Sequence, residues 1–332
     1  MFALLLLSAR GLVGIATPQP STILATGVTG MLGSQVVKDL LNTDPSIRVA
    51  CIVRADSDEH AQSRVEAALG GSDFSSRVTG FCGDVTQPGL GLSIKTQELL
   101  QNEVDAIVHI AADIRLAKGD GTAVTNLAAC DDVMAFASSC CKRPMVHFTS
   151  SIASCVKYGE RIAPEDMRYE KHHAFGGGYG EQKWEAEQRF HKWSLSTGGP
   201  VTIYRMPFLI SPTFAQRMAV PTLVFQMGKL IGKVPDHDQV DQMRDAGLLV
   251  SSVPFEEFEY VVRKRVASDR SLRRLQLFLP VVEAVASGDM AFLDTLQADK
   301  AVRAQGITLD ELNIDRASFS KVIDTATATL GV

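Results

Sequence analysis

The stretch Thr22-Ile23-Leu24-Ala25-Thr26-Gly27-Val28-Thr29-Gly30-Met31-Leu32-Gly33 constrains this chain more than any other. Residues 22–26 form a short apolar run of the kind a buried strand needs. Val36, Val37, Leu40 and Leu41 then recur at helical spacing within residues 34–41. Between the two runs lies G-x-x-G-x-x-G. Glycines permit a tight turn there and let a pyrophosphate approach the backbone N–H groups at a helix N-terminus. Alone the motif is weak; between a strand and a helix it predicts nucleotide binding.

The alternation continues. Residues 48–53 read as a second strand with Arg54 at its end, about 20 positions past the glycine loop, where dinucleotide folds read the ribose. An acidic residue there would bind the 2′-hydroxyl. Arg54 instead predicts a 2′-phosphate, hence NADP (NADPH) over NAD, although Asp56 two residues on can still point at the ribose. Arg64, on the next helix, is either a second phosphate ligand or part of a solvated face. Residues 78–85 read as a third strand ending in Gly83-Asp84, which places Asp84 and Val85 where an adenine edge is met. Residues 105–112 read as a fourth, running into Ala111 and Ala112, small enough to leave room for a flat ligand. His109 before them reads as a buried structural histidine rather than a catalytic one. Asn126 falls on the following helix and fixes backbone geometry nearby. Residues 144–151 read as a fifth strand ending in Thr149-Ser150-Ser151. Strand–helix alternation over residues 22–151 predicts an α/β fold with a doubly wound parallel sheet and right-handed crossovers. Ligands of such sheets bind at the C-terminal ends of the strands.

Tyr179 and Lys183 are four residues apart and share a face if their segment is helical. An ammonium that close favours the phenolate, lowering the tyrosine pKa from its ordinary value of about 10. Such a tyrosine can donate a proton to a carbonyl oxygen near neutral pH. By itself Y-x-x-x-K is more often a plain exposed pair; the crevice predicted upstream gives this one a place to act.

The 332 residues suit one large α/β domain with a smaller lobe, and a composition 45% hydrophobic and 21% charged supports a core. A net charge of −5 argues against a nucleic-acid-binding surface. The six cysteines are scattered without C-x-x-C spacing, which predicts a reduced, cytoplasmic chain and no zinc site. Met1–Ala9 is apolar but too short to span a bilayer, so stable membrane insertion is not expected. It reads as a first packed element or a poorly ordered leader, with a targeting role left open. The expected organisation is a leader over 1–20, a nucleotide-binding domain over 21–212 carrying Tyr179 and Lys183, and a smaller, mostly helical substrate lobe over 213–332, partly interleaved with it. In that lobe Ser252 reads as a helix N-cap with Pro254 near the first turn, and residues 309–330 as a terminal amphipathic helix or pair.

Together, Thr26-Gly27-Val28-Thr29-Gly30-Met31-Leu32-Gly33, Gly83-Asp84, His109-Ile110-Ala111-Ala112, Asn126, Thr149-Ser150-Ser151 and Tyr179-x-x-x-Lys183 resemble the extended branch of the short-chain dehydrogenase/reductases. Within that branch the chain looks most like the thioester reductase domains that end nonribosomal peptide synthetases, carboxylic acid reductases and aminoadipate reductases, with fatty acyl-CoA reductases as close relatives. The local matches are Cys51-Ile52-Val53-Arg54-Ala55, Gly83-Asp84-Val85-Thr86-Gln87-Pro88-Gly89-Leu90-Gly91-Leu92-Ser93 and Tyr179-Gly180-Glu181-Gln182-Lys183-Trp184-Glu185-Ala186-Glu187. The resemblance implies a Rossmann-type fold. It makes Ser151 the hydroxyl that bonds the substrate carbonyl, with Ser150 as fallback, Tyr179 the proton donor, and Lys183 the group that tunes Tyr179 and holds the nicotinamide ribose. Thr26, Gly27, Thr29, Gly30, Met31, Leu32 and Gly33, with Arg54, Arg64, Asp84, Val85, Ala111, Ala112, Asn126 and Ser150, become the NADPH contacts. The implied substrate is an acyl thioester, on coenzyme A or a carrier protein, reduced to an aldehyde and possibly on to an alcohol. The chain departs from those domains at Arg205-Met206-Pro207-Phe208-Leu209-Ile210, where their Arg-x-Gly-x-x-x-Gly glycines are missing. That departure keeps two alternatives open: another extended reductase or epimerase acting on a sugar nucleotide, sterol or small ketone, and a non-catalytic NADP-binding sensor.

Overall fold

The computed structural model describes residues 22–112, 122–155, 178–206 and 251–268, with short pieces at 162–163, 170–171, 174, 233–235, 244 and 292–293. The leader at 1–20 and the segment at 309–330 lie outside the described residues.

The glycine-loop unit forms as its sequence requires. Strand β1 (Thr22–Thr26) leads through the loop to helix α1 (Met31–Thr43). Then follow β2 (Arg48–Val53), α2 (Asp58–Leu69), β3 (Val78–Cys82), α3 (Ile94–Glu103), β4 (Ala106–His109), α4 (Thr122–Ser139) and β5 (Met145–Ser151). Helix α5 (Tyr179–Thr197) and strand β6 (Val201–Met206) complete the unit. The six strands lie in the order β3-β2-β1-β4-β5-β6, and β1 to β5 are mutually parallel. Strands β2 and β4 are buried almost end to end, as a sheet covered by helices on both faces demands.

Local chemistry sets the helix ends. Ser57 and Ser93 accept the backbone N–H groups of His60 and Thr96, capping α2 and α3. α2 and α5 stop at Gly70 and Gly198 in the left-handed conformation. α5 is held to α4 by the Arg189–Asp131 ion pair and by the Trp193 indole donating to the Ser138 hydroxyl at 2.9 Å. Its Phe190 packs on Phe148 of β5 with ring centroids 4.6 Å apart.

Two strands are shorter than expected. β3 ends at Cys82 because Gly83 donates to Val53 and the chain then turns, with Asp84 donating its N–H to Leu90. β4 ends at His109 because the next two N–H groups, of Ile110 and Ala111, go to the Thr26 hydroxyl rather than to a strand.

The chain divides into two compact units. The described residues up to Ser154, with those from 170 to Arg205, fall in the first unit, and Cys155, Ile162–Ala163 and the described residues from Met206 to Leu293 fall in the second. Among the described residues that unit contains two parallel strand pairs, Lys233–Pro235 with Ser251–Val253 and Ile162–Ala163 with Phe292–Leu293. It also contains helix α6 (Phe255–Ser268), which buries Phe258 and Val262, four residues apart. Ser252 lies three residues before this helix begins. It lies in a strand, and the carbonyl of Pro254 accepts the first bonds, from Glu257 and Phe258.

Candidate active site and cofactor crevice

Strand order reverses at β1: β2 and β3 lie on one side and β4 on the other. Open α/β sheets bind ligands at such a switch point. Here the two chains leaving β1 and β4 touch. Gly27 has a φ of 76°, and a Cβ on it would lie 2.6 Å from the Ala111 nitrogen. A Cβ on Gly33 would fall 2.1 Å from the Gly27 carbonyl oxygen, so the loop closes only with glycine there. Gly30 caps α1 with no side-chain acceptor, leaving first-turn N–H groups for an anion. Thr29, Gly30, Met31 and Leu32 line the half-buried lip of this loop. These features fit a dinucleotide's pyrophosphate.

Thr26 plays a different part from the one expected. It is fully buried, and its hydroxyl accepts the N–H groups of Ile110 and Ala111, each at 3.2 Å. That leaves its own proton for His109 Nδ1, 2.9 Å away. His109 therefore accepts at Nδ1 and carries its proton on Nε2, which faces the Cys130 thiol at 3.8 Å. Burial, reinforced by the nearby Lys183 charge, pushes the His109 pKa down to about 3. It is a neutral structural histidine.

On the ribose side, Arg54 stands exposed at the end of β2, and the Arg64 guanidinium donates to the Arg54 carbonyl. The Arg64 cation is thus held at the backbone of Arg54. Asp56 pairs with His60 at 3.3 Å. One Asp84 carboxylate oxygen accepts both the N–H and the hydroxyl of Thr86 in a local turn, while Val85 is half-buried beside it.

Helix α5 carries Tyr179 to the end of β5. The Ser151 hydroxyl lies beside the Tyr179 phenol and favours its ionised form, and the Ala153 N–H donates to Ser151 Oγ at 3.2 Å. The Lys183 ammonium donates to the Thr149 carbonyl at 2.8 Å and lies 4.9 Å from the Phe148 ring and 5.9 Å from the Tyr179 ring. Ala111, Ala112, Asn126, Tyr179 and Lys183 line one cleft. On its wall the Asn126 amide donates to Gln182 at 3.1 Å.

Two expectations are corrected. Ser150, the fallback, is 2% exposed, and its hydroxyl is committed to Glu187. And the Tyr179 phenol is raised above its ordinary value, because burial outweighs the Ser151 hydrogen bond that favours the phenolate. Burial also lowers the Lys183 pKa, though Cys130 and Glu187 work against that.

Sequence reading passed over Glu187. Its signal was present: Tyr179, Lys183 and Glu187 repeat every four residues along one face of α5.

A family model described as male sterility protein, of the NAD-binding type, matches residues 25–251. The chain belongs to this family. Its sequence is 28% identical over 224 residues to a carboxylic acid reductase of Mycobacterium tuberculosis, covering 59% of this chain and 19% of that one. It is 27% identical over 214 residues to the isonitrile lipopeptide synthase of the same organism, covering 59% and 8%. To the L-2-aminoadipate reductase large subunit of Penicillium chrysogenum it is 29% identical over 191 residues, covering 52% and 13%. The chain thus spans less than a fifth of the length of these relatives. In fold it matches the terminal R domain of the myxalamid PKS-NRPS pathway with a TM-score of 0.81, at 22% identity over 94% of this chain and 92% of that one. The reductase domain of a nonribosomal peptide synthetase from M. tuberculosis gives 0.73, at 20% identity over 98% and 96%. Members of this family are oxidoreductases with a nicotinamide cofactor.

Two outcomes follow from this geometry. Gly33→Ala should lose nicotinamide-nucleotide binding by tenfold or more while the circular dichroism spectrum holds, an order-of-magnitude figure for a displaced phosphate loop; unchanged affinity in a fluorescence titration would show that the loop tolerates the methyl. His109 is depressed in the folded state, so its contribution is fully present above pH 6.5 and is lost as pH falls toward about 3. Urea denaturation should show about 1.4 kcal/mol of stability lost per pH unit in that window from this one group, and His109→Gln should flatten the slope by that amount.

Proposed function

We propose that this chain is an NADPH-dependent reductase of acyl thioesters, carried on coenzyme A or on a carrier protein, and that it releases an aldehyde. The observation that carries the reading is that Tyr179 and Lys183 line one cleft with Ala111 and Ala112, with Ser151 beside the Tyr179 phenol. Names of similar proteins, carboxylic acid reductase and L-2-aminoadipate reductase among them, support the substrate class.

The dihydronicotinamide supplies a hydride to the carbonyl carbon when bound. Ser151 and Tyr179 are the donors aimed at the carbonyl oxygen, where negative charge develops and preorganised donors act most strongly. Tyr179 gives its proton to that oxygen, producing a hemithioacetal. Collapse then breaks the C–S bond, the thiol leaves with a proton, and the aldehyde remains. A phenol held above its ordinary pKa is protonated at neutral pH, as a reduction requires. Lys183 stays beside the Tyr179 ring and supports the phenolate while the proton is away. Arg54 and Arg64 are the cations that favour a 2′-phosphate, which supports NADPH over NADH.

The test is NADPH consumption with acyl-coenzyme A, acyl-pantetheine and aldehyde substrates. Consumption with a thioester and release of an equivalent of thiol is expected; turnover of aldehydes alone would remove the thioester from the proposal. Tyr179→Phe should lower the rate on the order of a hundredfold or more, as for loss of a general acid, and leave NADPH affinity in place. Arg54→Ala should weaken NADPH on the order of tenfold more than NADH, as loss of a charge-assisted phosphate contact predicts. Equal weakening of both would remove Arg54 from phosphate recognition.

A further inference from the structure

Beneath the Ser151–Tyr179 pair lies a polar cluster that the reaction itself does not use. Glu187 is completely buried on α5, one turn beyond Lys183. Its carboxylate gathers donors from three segments. Ser150, at the end of β5, donates to Oε1. Ser154, in the single 3-10 turn Ile152–Ser154 that follows β5, reaches Oε1 at 2.8 Å. Arg205 on β6 forms a forked pair, with Nε 3.1 Å and a terminal nitrogen 2.9 Å from Oε2. Arg205 is itself only 10% exposed.

The two serines flank Ser151. Ser154 Oγ also lies 2.9 Å from the Ser151 carbonyl, so its one proton is shared between that carbonyl and Glu187. The segment carrying Ser151 is therefore fastened on both sides to one carboxylate, and that carboxylate rides on the helix that carries Tyr179 and Lys183. A buried carboxylate is costly unless its lone pairs are filled, and here three side chains fill them.

We propose that Glu187 is a positioning residue: it locks the Ser150–Ser154 segment to α5 and so fixes the distance between the Ser151 hydroxyl and the Tyr179 phenol. The inference rests on the reductase reading only for the consequence in turnover; the positional claim concerns the two hydroxyls themselves.

Electrostatics points the same way. Burial pushes the Glu187 carboxyl up to about 7, and Ser150, Ser154 and the Lys183 charge oppose it. The forked Arg205 pair also favours the ionised form. Ionised, it supports the Lys183 ammonium, which burial would otherwise discharge more readily. The charged and titratable groups that face Lys183 are Tyr179 and Glu187 on its own helix, His109 on β4 and Cys130 on α4.

The experiment reads Tyr179 directly. Protein labelled with ¹³C at the tyrosine ring carbon that bears oxygen gives a signal for each of the five tyrosines, and Tyr179→Phe assigns the relevant one. In Glu187→Gln, which keeps the side chain's shape, the Tyr179 titration should move further alkaline, in step with Ser151→Ala, because the hydrogen bond that favours the phenolate is lost. Turnover in Glu187→Gln should fall about tenfold or more with NADPH affinity within about twofold. Ser154→Ala, which leaves the Glu187–Arg205 pair intact, should give a smaller shift of the same sign and serves if Glu187→Gln does not fold. A Tyr179 titration unchanged from wild type in a folded variant overturns the proposal, whatever the wild-type enzyme reduces. Loss of NADPH affinity and melting temperature in proportion to turnover also overturns it, since it marks a purely structural residue. Wild-type protein inactive on every thioester would instead count against the reductase reading and leave the tyrosine titration to decide the role of Glu187.

Discussion

The bond from the Lys183 ammonium to the Thr149 carbonyl, 2.8 Å long and shut away from solvent, is the contact on which the site depends. A buried lysine is an expensive residue, and its lowered pKa shows the cost. The fold offsets that cost with a carbonyl, the Phe148 ring face and the Glu187 carboxylate one turn on. Because the ammonium is tied to the end of β5, α5 lies against that strand in one register, and Tyr179 arrives beside Ser151. Any slip along α5 would break the lysine bond, the Glu187 cluster and the Phe190–Phe148 contact together. One helix with a repeat of four residues thus carries three coupled constraints.

The sheet then fixes what this constellation can act on. β4 is the neighbour of both β1 and β5, so the glycine loop and the serine end of β5 open on either side of one strand. The Thr26 hydroxyl pulls Ile110 and Ala111 back over Gly27, which narrows the crevice at the place where a flat ring would enter. Small residues at 111 and 112 keep that crevice open. The Ser151–Tyr179 pair and the glycine loop are therefore products of one topology rather than separate inventions on the same chain.

How much of this was legible in the sequence follows from which groups act through their type and which through their surroundings. The glycine loop was readable because only glycine meets the steric demand at 27 and 33, so the demand is written as residue type. The parallel sheet was readable from apolar runs at regular spacing. Ser151 was ranked above Ser150 by resemblance alone, because adjacent residues at a strand end point to opposite sides and the residues themselves do not state which side each takes. Thr26 was mistaken for a cofactor contact for a similar reason: its hydroxyl works inward, on backbone groups that only the fold brings near. Glu187 was overlooked because a glutamate four residues past a lysine is usually a solvated partner. Its burial depends on Arg205, which arrives from a later strand.

The pKa of Tyr179 shows how the surroundings reverse an inference drawn from spacing. Four-residue spacing from a lysine argues for a lowered value, and that argument holds when both groups share water. Here both are buried, and removing water penalises the phenolate more than one hydrogen bond from Ser151 repays. The reversal suits a reductase. A donor that stayed half ionised at neutral pH would be in the wrong state for half of its encounters with a carbonyl, whereas a phenol above its ordinary pKa is protonated nearly always. Its weaker acidity is no handicap against an alkoxide, which is a stronger base than phenolate. In the proposed reaction the lysine matters at a later moment. Once the proton has left, the phenolate is a fresh negative charge in a poorly hydrated site, and the ammonium 5.9 Å from the ring is the cation placed to stabilise it until the proton is replaced.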